Sequence, residues 1–419
     1  MKLLIITTIP YPLLEGGKIS QFAVIDELRK FIDITLIVQI NSDVDMLNIE
    51  YLNKIWDNVS IEKIDFRVSK RKNYFINRIV NKVVKLSDRF NISNDIKEIS
   101  DFDLPYIIEI TGMKSRIFIE KLVDIIYKIH PDIVQIELLS LIDLVNVLPS
   151  NIKKVFVHHE IRFGRLESSI NMIKNSLIYE KYVIENIKLI ESAYLNLYDS
   201  IIVFSEVDKK KLEEVTHGVK IFDSPFPVLR NHFLFPVNTE MKFRKLIFIG
   251  GEGHLPNKLA IEWYVKELSQ LLAINLDLKL FVIGAWSNET IALYKNIPNL
   301  IFEGIVEDLI SYCKDSIMLV PVNVGSGIRT KILYAMAQGI PVISSLKGCE
   351  GINVKDKFNI LIAETPRDYI LSINYLINDK DFASNIVKNA YQYVHDFHTQ
   401  EYVALRRMEC YERIIKSNE

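Results

Sequence analysis

The stretch "NVGSGIRTKILYAMAQGIPVISS", Asn323 to Ser345, combines residue types that can hold an anion. The small residues Gly325 to Gly327 follow the apolar run "SIMLVPV", and Arg329 and Lys331 precede a run with helical spacing. A helix N-terminus presents unpaired backbone amides and a partial positive charge, and glycines let a ligand approach those amides. The pattern predicts a phosphate-binding turn to which the two cations supply charge. The plainer alternative is that both cations are solvated surface residues.

Two further glycine-rich segments follow apolar runs. Gly16 and Gly17 separate "KLLIITT" from a helical pattern, and Gly251 lies in "GGEGHLPN" after "RKLIFI". Small residues between a strand and a helix allow backbone amides to face a diphosphate. An isolated Gly-Gly is also typical of an ordinary turn, but its place after the first strand of a wound sheet favours the phosphate interpretation. His254 is a further candidate behind Arg329 and Lys331.

A histidine doublet followed by an acid, "HHE", ends the apolar run "KKVFV". A single histidine is more often a structural hydrogen-bonding residue than a catalyst, yet ligand groups collect at the carboxyl ends of parallel strands. The doublet leaves open whether His158 or His159 faces a ligand. Ser205 and Glu206 follow "IIVF", where they either cap a helix or line the same cleft.

These segments lie between short β-branched runs and helical patterns, an alternation that indicates parallel βα units. The predicted strands are "KLLIITT", "DITLIVQI", "DIVQIE", "KKVFVHH" and "SIIVFS", then "RKLIFIGG", "LKLFVIGA", "LIFEG", "IMLVP", "PVISS" and "NILIA". The predicted helices are Ser20 to Arg29, Ser168 to Leu197, Glu206 to Val215, Asn257 to Leu272, Thr330 to Gln338 and Pro366 to Leu376. The class is therefore α/β, with two facing Rossmann-like, doubly wound parallel sheets.

Length and composition agree with two domains. The chain has 419 residues, which is too many for one ordinary core of roughly 100 to 200 residues. Three prolines interrupt Asp223 to Asn238, so we place the first domain at residues 1–230 and the second at 231–396. A net charge of -2 argues against a dedicated nucleic-acid binder.

Cysteine usage and apolar runs bear on the compartment. The three cysteines, Cys313, Cys349 and Cys410, are far apart and lack metal-ligand spacing, so we expect a reduced compartment without disulfides or a zinc site. The first residues lack the features of a signal peptide, and no segment has the apolar length of a membrane span. We expect a cytoplasmic protein, either soluble or peripheral at the inner face of a membrane.

Taken in order, the motifs resemble glycosyltransferase family 4 of the GT-B fold. In the second half the resemblance lies in "FIGGEGHLPNKLAIEWY", the segment "FEGIVEDLISYCKDSIMLVPVNVGSGIRTKILYAMAQGIPVISSLKGCEGI" and the final run "FHTQEYVALRRMECYERII". In the first half it lies in "IPYPLLEGGKISQF", "PDIVQIE", "VFVHHEIRF" and "IIVFSEVDKKKLEE". It implies a final helix, residues 397–419, that packs back on the first domain.

Such proteins move a sugar from a nucleoside diphosphate to an acceptor, usually with retention and without a metal. The resemblance implies that His159 and Glu160 face the reacting sugar, with His158 as the alternative. It also implies that Gly16, Gly17 and Gly327 bind the donor. It implies a UDP- or GDP-linked donor, no other cofactor, and an acceptor that is a glycan, a lipid-linked molecule or a protein.

The chain departs from this pattern at several positions. Gly251 and Pro256 stand where the family commonly has an arginine and a lysine, so phosphate charge must come from elsewhere in the cleft. Ser326 and Tyr334 stand where it often has two glutamates, the second of which bonds the ribose. Ser326 can still form hydrogen bonds, and Glu350 is a candidate substitute for the lost carboxylate.

Two rival functions fit parts of the pattern. A donor-binding protein without activity explains the missing glutamates, whereas a GT-B nucleotide-sugar epimerase requires acid and base carboxylates in the cleft. A bacterial-type role in surface glycan or glycoconjugate synthesis is the expectation that goes with transfer.

The segment Lys70 to Phe90 suggests how the acceptor is reached. It places Arg78, Lys82, Lys85 and Arg89 at helical spacing on one face. Such a basic amphipathic helix either packs on the first domain or contacts an anionic membrane that carries the acceptor.

Overall fold

The computed structural model describes residues 1–13, 16–67, 114–170, 178–234 and 242–416. These residues form two sheets whose paired strands all run parallel. The first sheet has the order β3-β2-β1-β4-β5-β6-β7 and the second has the order β10-β9-β8-β11-β12-β13. The strands of the first sheet are β1 (Lys2–Ile6), β2 (Asp33–Ile40), β3 (Val59–Asp65), β4 (Ile133–Glu137), β5 (Lys153–Val157), β6 (Ser200–Val203) and β7 (Lys220–Asp223). Those of the second are β8 (Lys245–Ile249), β9 (Leu280–Ile283), β10 (Leu300–Gly304), β11 (Ser316–Val320), β12 (Val342–Ser344) and β13 (Leu361–Ile362).

Helices connect the strands and cover the sheets. They are α1 (Gly16–Leu28), α2 (Asp43–Ile55), α3 (Arg116–Ile129), α4 (Arg162–Ile170), α5 (Ile178–Leu195), α6 (Glu206–Glu213), α7 (Leu255–Trp263), α8 (Ser269–Asn275), α9 (Asn288–Tyr294), α10 (Leu309–Cys313), α11 (Thr330–Ala337), α12 (Pro366–Asn378), α13 (Lys380–Phe397) and α14 (Gln400–Lys416). A π-helical turn, Tyr264–Leu268, joins α7 to α8, and short 3₁₀ segments occupy Leu139–Val147 and Arg230–His232.

The central strands are buried along their whole length because both faces of each sheet are covered. All five residues of β4 are buried, and so are all five of β11. This is the reason why the parallel strands appear in the sequence as mostly apolar runs. The predicted two-sheet α/β class is confirmed.

Two strands and the helices α2, α3, α9, α10 and α13 were not predicted from the sequence, and one predicted helix was misplaced. β3 lies at the edge of its sheet and carries Glu62 and Lys63, so it lacks an apolar run, and β7 is only four residues long. The helix predicted at Ser168 to Leu197 was wrong at its start, because the structure has α4 from Arg162 and a second helix, α5, from Ile178.

The last helix, α14, returns to the first domain and packs on α1, as predicted. Gln400 at its start accepts a hydrogen bond from the backbone amide of Arg230 at 3.0 Å. The Arg230 guanidinium also bonds Glu401 at 2.7 Å and reaches the buried carboxylate of Glu27 in α1. The segment that joins the domains is therefore fixed to α1 and α14. The boundaries at residues 230 and 396 stay a prediction.

Two of the predicted features fall where the structure describes nothing. The basic segment Lys70 to Phe90 and Pro236 of the linker lie outside the described residues. Among the helices that are described, none combines the length and the apolar character that crossing a membrane requires.

Candidate active site

The carboxyl edges of the two sheets face each other, and the loop before α11 touches the first domain. The backbone amide of Gly325 donates to the Ser168 hydroxyl at 2.6 Å, and the Ser326 hydroxyl donates to the Ile161 carbonyl at 2.9 Å. Gly327 has a φ of +74°, and a Cβ there would lie 3.4 Å from the His159 carbonyl oxygen. The predicted phosphate turn thus lies directly against the histidine doublet.

His159 is held by a carboxylate that the sequence analysis did not assign. Its Nε2 lies 2.9 Å from Oε2 of Glu137, the last residue of β4. Burial acts to raise the pKa of Glu137, but the hydrogen bond and charge of His159 and the charge of Arg407 hold that pKa below its usual value. Because an ionised carboxylate only accepts, Nε2 carries the proton of this bond. Nδ1 then lies on the Gly17 side, where a Cβ on Gly17 would be 3.6 Å away.

The support for His159 continues through the protein to α14. Nε2 of Gln135 donates to Glu137 Oε1 at 2.6 Å, and the Tyr411 hydroxyl donates to Gln135 Oε1 at 2.5 Å. Gln135, Glu137 and Tyr411 are all buried, so water does not compete for these bonds. The returning helix therefore positions the site histidine through a continuous hydrogen-bond chain.

We expect Tyr411→Phe to lower kcat several-fold while leaving the nucleotide dissociation constant unchanged. The phenyl ring keeps the packing but removes the hydroxyl that fixes Gln135, and a net hydrogen bond is worth about 1 kcal/mol. Steady-state kinetics and titration with nucleotide measure the two effects. Tyr402→Phe, a half-buried tyrosine of the same helix, is the matched control. Equal kcat values for wild type and Tyr411→Phe would contradict the positioning role.

His158 has a structural environment. Its Nε2 lies 2.7 Å from Oε1 of Glu191 in α5, and both side chains are buried. Glu191 also accepts from the backbone amides of Arg162 at 3.0 Å and Phe163 at 3.1 Å, so it caps the start of α4. Of the doublet, His159 is the member that faces the cleft.

The cleft has two walls: the first domain contributes the wall with His159, and the second domain contributes the wall with Lys331. Lys331 lies in the first turn of α11. Its Nζ donates to Asn257 Oδ1 at 2.8 Å and lies 4.1 Å from the ring centroid of Phe248. Burial, together with the nearby charge of Arg329, lowers the pKa of Lys331 to about 7. A nearby anion raises the pKa of such a side chain, so its amine takes up a proton when the anion binds.

The glycine-rich loop after β8 shapes the support for Lys331. Gly250 has a φ of +152°, and a Cβ there would lie 2.5 Å from the Asn257 amide nitrogen. Asn257 Nδ2 donates to the Gly251 carbonyl at 3.0 Å, which leaves its oxygen for Lys331. A glycine at position 250 therefore makes room for the side chain that orients the lysine.

Arg329 is turned onto its own loop. Nη1 donates to the Ser326 carbonyl at 2.7 Å and also reaches the Gly327 carbonyl, and Nη2 donates to the Val324 carbonyl at 3.1 Å. Its Nε is buried and has no hydrogen-bond partner within the described part of the chain. The side chain thus shapes the phosphate turn and keeps one donor unused.

Glu160 follows His159 in the first domain, and His254 precedes α7 in the second. Glu160 Oε2 accepts from Arg165 Nη1 at 3.1 Å. Burial, with the charge of Arg165 second, lowers the pKa of half-buried His254 to about 4. His254 is therefore neutral at pH 7, so it offers hydrogen bonds to a phosphate but little charge. Arg165 is a cation of the first domain that the sequence analysis did not single out.

The remaining predicted residues include Gly16, Ser205 and Glu350. A Cβ on Gly16 would lie 3.5 Å from Thr330 Cγ2, so the first glycine loop borders the start of α11. Ser205 accepts the Asp208 amide at 3.1 Å as the N-cap of α6, and a Cβ built on Gly351 would lie 3.0 Å from its Oγ. The cleft-lining role stays a prediction. Glu350 pairs with Lys347 at 2.5 Å.

Tyr334 lies apart from these groups. Its ring centroid is 4.8 Å from that of His232, and it packs with Ile19 and Leu229 between the domains. Its hydroxyl is buried and without a hydrogen-bond partner among the residues described. The ribose-binding role considered for this position stays a prediction.

The partners that the sequence analysis missed become visible only through the topology. Glu137 ends β4 and His159 follows β5, and these strands are paired neighbours. The one signal in the sequence was that "PDIVQIE" ends in an acid where a predicted strand ends. Glu191 lies 33 residues from His158 inside a helix, where no local pattern marks it.

Comparison with known proteins gave one family and a set of structures. Residues 244–379 match the family model described as glycosyl transferases group 1. A search of curated protein sequences gave no significant match.

Similar solved structures span nearly the whole chain. HepE of Anabaena in complex with UDP has 11% identity and a TM-score of 0.65, over 99% of this chain and 100% of that chain. Sucrose-phosphate synthase of Thermosynechococcus elongatus has 14% identity and a TM-score of 0.67, over 99% of each chain. A TarM variant of S. aureus in complex with fondaparinux, alpha-GlcNAc-glycerol and UDP has 14% identity and a TM-score of 0.63, over 99% of this chain and 100% of that chain. Residues 244–379 thus match a glycosyl transferases group 1 domain, and the chain as a whole has the GT-B fold of these structures.

Proposed function

We propose that the protein transfers a sugar from a nucleoside diphosphate sugar to an acceptor hydroxyl in the cleft between its two sheets. The observation that carries this proposal is the pair of facing walls. One wall holds His159 on a buried carboxylate, and the other holds Lys331 beside the turn at Gly325 to Gly327. A donor spanning this cleft has its diphosphate at the second wall and its sugar at the first.

In the proposed reaction the bond between the anomeric carbon and the leaving phosphate oxygen breaks, and its electron pair goes to the phosphate. A new bond forms from the acceptor oxygen to the anomeric carbon, and the acceptor proton passes to the leaving phosphate. The sugar carries oxocarbenium-like positive charge in the transition state. Lys331 and the amides at the start of α11 stabilise the charge that develops on the phosphate.

His159 has a positioning and hydrogen-bonding role in this scheme. Because Nε2 donates to Glu137, a neutral ring offers Nδ1 as an acceptor for a sugar hydroxyl. Glu160, paired with Arg165, lies beside it and completes the sugar-facing wall. Retention at the anomeric carbon, which the resemblance implies, belongs to the proposal. Metal independence also belongs to the proposal, and it is tested by measuring transfer activity in the presence of EDTA.

The donor class is a UDP- or GDP-linked sugar. HepE was solved in complexes with UDP, with UDP and glucose, and with UDP-glucose. For the acceptor, the TarM complex contains alpha-GlcNAc-glycerol and fondaparinux. These complexes support a uridine nucleotide and a glycan-type acceptor as the first choices here, in surface glycan or glycoconjugate synthesis.

Thermal unfolding with UDP, GDP and ADP tests donor binding. A ligand at a hundred times its dissociation constant stabilises the folded state by about 2.7 kcal/mol. We expect one nucleoside diphosphate to raise Tm clearly above the others. If none of them raises Tm, the proposed function fails at its first step.

The membrane contact of Lys70 to Phe90 is a separate proposal that rests on the sequence. Each basic residue near an anionic surface contributes about 1 kcal/mol. We expect cosedimentation with anionic vesicles at low salt, loss at high salt, and loss when Arg78, Lys82 and Lys85 are replaced by glutamate. Absence of binding by the wild-type protein at low salt would leave a soluble glycan or protein as the acceptor.

A further inference from the structure

The structure brings a cation of the first domain, Arg165 in α4, to the phosphate turn of the second. The Arg165 amide donates to the Ile161 carbonyl at 3.0 Å, and the Ser168 hydroxyl donates to the Arg165 carbonyl at 2.7 Å. Residues with this spacing share one face of a helix. On that face the Ile161 carbonyl accepts from the Ser326 hydroxyl at 2.9 Å, and the Ser168 hydroxyl accepts from the Gly325 amide at 2.6 Å. The arginine between these two contacts therefore lies on the side of α4 that meets the turn.

The charge of Arg165 acts on basic groups of the second domain. Burial is the largest cause of the lowered pKa of His254, and the charge of Arg165 is the next. Burial also lowers the pKa of Arg329, and there Arg165 acts in the same direction whereas Glu160 opposes it. Both members of the pair formed by Arg165 and Glu160 are thus close to the groups that border the phosphate turn.

The basic groups of the second domain that border this turn supply little positive charge for a diphosphate. His254 is neutral at pH 7, and Lys331, with a pKa of about 7, is only partly protonated there. Both terminal nitrogens of Arg329 donate to carbonyls of their own loop. The phosphates of a diphosphate are charged at this pH, so a further cation from the first domain would strengthen their binding.

Glu160 holds Arg165 in a pair that a phosphate can replace. Its Oε2 accepts from Arg165 Nη1 at 3.1 Å, and Arg162 Nη1 lies 3.7 Å from the same oxygen. If Arg165 turns to a phosphate, Arg162 remains beside the carboxylate, so the exchange does not leave the acid without a cation. A guanidinium suits such an exchange, because its parallel N–H donors match carboxylate and phosphate oxygens alike.

We propose that Arg165 exchanges the Glu160 carboxylate for a phosphate of the bound donor, and thereby links the diphosphate on the second domain to the first domain. This inference rests on the proposed transferase function and adds a binding residue to it. Glu160 is then a positioning residue, which keeps the guanidinium beside the phosphate turn until a donor binds. The bound donor also strengthens the contact that α4 already makes with this turn.

Calorimetric titration with UDP, GDP and ADP compares the wild type with Arg165→Gln and Arg29→Gln. Arg29 is a matched control, because its side chain is 20% exposed against 12% for Arg165 and it also pairs with an acid, Asp26, at 3.2 Å. It lies between α1 and β2, at the edge of the first sheet opposite the carboxyl ends. We expect Arg165→Gln to weaken the nucleotide that binds best by about tenfold or more, since it removes a hydrogen bond between charged groups. Arg29→Gln should bind within about twofold of the wild type.

Glu160→Gln gives a second readout, with the opposite sign. Removing the competing carboxylate releases Arg165 from its pair, so we expect tighter binding of the same nucleotide. In the double variant Glu160→Gln/Arg165→Gln this gain should disappear, whereas two charges that act independently would have additive effects. Arg165→Lys keeps the charge but lacks the parallel donors, so its affinity should lie between those of the wild type and Arg165→Gln.

The Tm of each variant without ligand shows whether it is folded. The inference is overturned if Arg165→Gln binds nucleotide as tightly as the wild type, if Arg29→Gln weakens binding as much as Arg165→Gln, or if the gain from Glu160→Gln persists in full in the double variant. If Arg165→Gln does not fold, unchanged affinity in both Arg165→Lys and Glu160→Gln overturns it. Failure of all three nucleotides to bind the wild-type protein is a different result, which removes the proposed function itself.

Discussion

We expect His159→Ala to lose roughly a hundredfold or more of transfer activity while remaining folded. In the proposed reaction its imidazole presents Nδ1 to the donor sugar, and loss of a preorganised hydrogen-bonding group at a reacting centre costs on the order of 10² to 10³ in kcat. The stability loss should be small, because Glu137 keeps its bond from Gln135 at 2.6 Å. Steady-state transfer rates and chemical denaturation measure the two effects.

His158→Ala is the matched comparison, and we expect the opposite balance. Its removal leaves the buried Glu191 carboxylate without the imidazole, and a buried group that loses a hydrogen-bond partner costs about 1 to 3 kcal/mol. The two backbone amides that remain on Glu191 place the expected loss near the lower end of that range. Small and equal effects of the two variants on activity would mean that both histidines are structural.

The second large effect concerns the diphosphate. We expect Lys331→Ala to weaken binding of the nucleoside diphosphate at least tenfold, because a hydrogen bond to a charged group contributes about 1.5 to 3 kcal/mol. Adding Arg329→Ala should weaken binding further, since that guanidinium holds three carbonyls of the phosphate turn in place. Calorimetric titration measures both dissociation constants. Unchanged binding in the double variant would remove the phosphate site from this wall.

The pKa of Lys331 predicts how this affinity depends on pH. In the empty cleft it is about 7, and a bound diphosphate favours the ammonium form, so binding takes up a proton above pH 7. Affinity should therefore fall as the pH rises from 7 to 9, a range in which a phosphate with a second pKa of about 6 is already fully charged. Lys331→Arg stays charged and should bind with little pH dependence over that range. Identical pH profiles for the two proteins would show that Lys331 does not contact the phosphates.

Local pattern was sufficient to predict most strands and the main site segments. Buried parallel strands are mostly apolar runs, and the glycines, the histidine doublet and Lys331 all lie at or after the ends of such runs. The ends of parallel strands meet at one edge of a sheet, so the order of these segments already indicated a common cleft.

The partners of those residues could not be predicted, because they depend on pairings between distant parts of the chain. Tyr411 bonds Gln135 across 276 positions, and Gln400 contacts the carbonyl of Ala23 across 377. Glutamine and tyrosine are also common on protein surfaces, so the residue type alone did not mark Gln21 or Tyr411. The structure distinguishes them because both are buried, Gln21 without a hydrogen-bond partner among the described residues and Tyr411 with one. Arg329 shows the converse, since its type suggested a phosphate ligand, whereas the structure uses its terminal nitrogens to shape the loop.

Proton NMR of the anomeric signals during turnover tests the central claim most directly. The preferred nucleotide sugar, chosen by thermal unfolding, is incubated with the protein and a binding glycoside, and His159→Ala serves as the control. Our account predicts that the donor anomeric signal decays while an acceptor-linked signal of the same anomeric configuration grows, and that both changes are lost in His159→Ala. An epimerised sugar without acceptor linkage, or a donor that binds and stays unchanged with every acceptor offered, would contradict it.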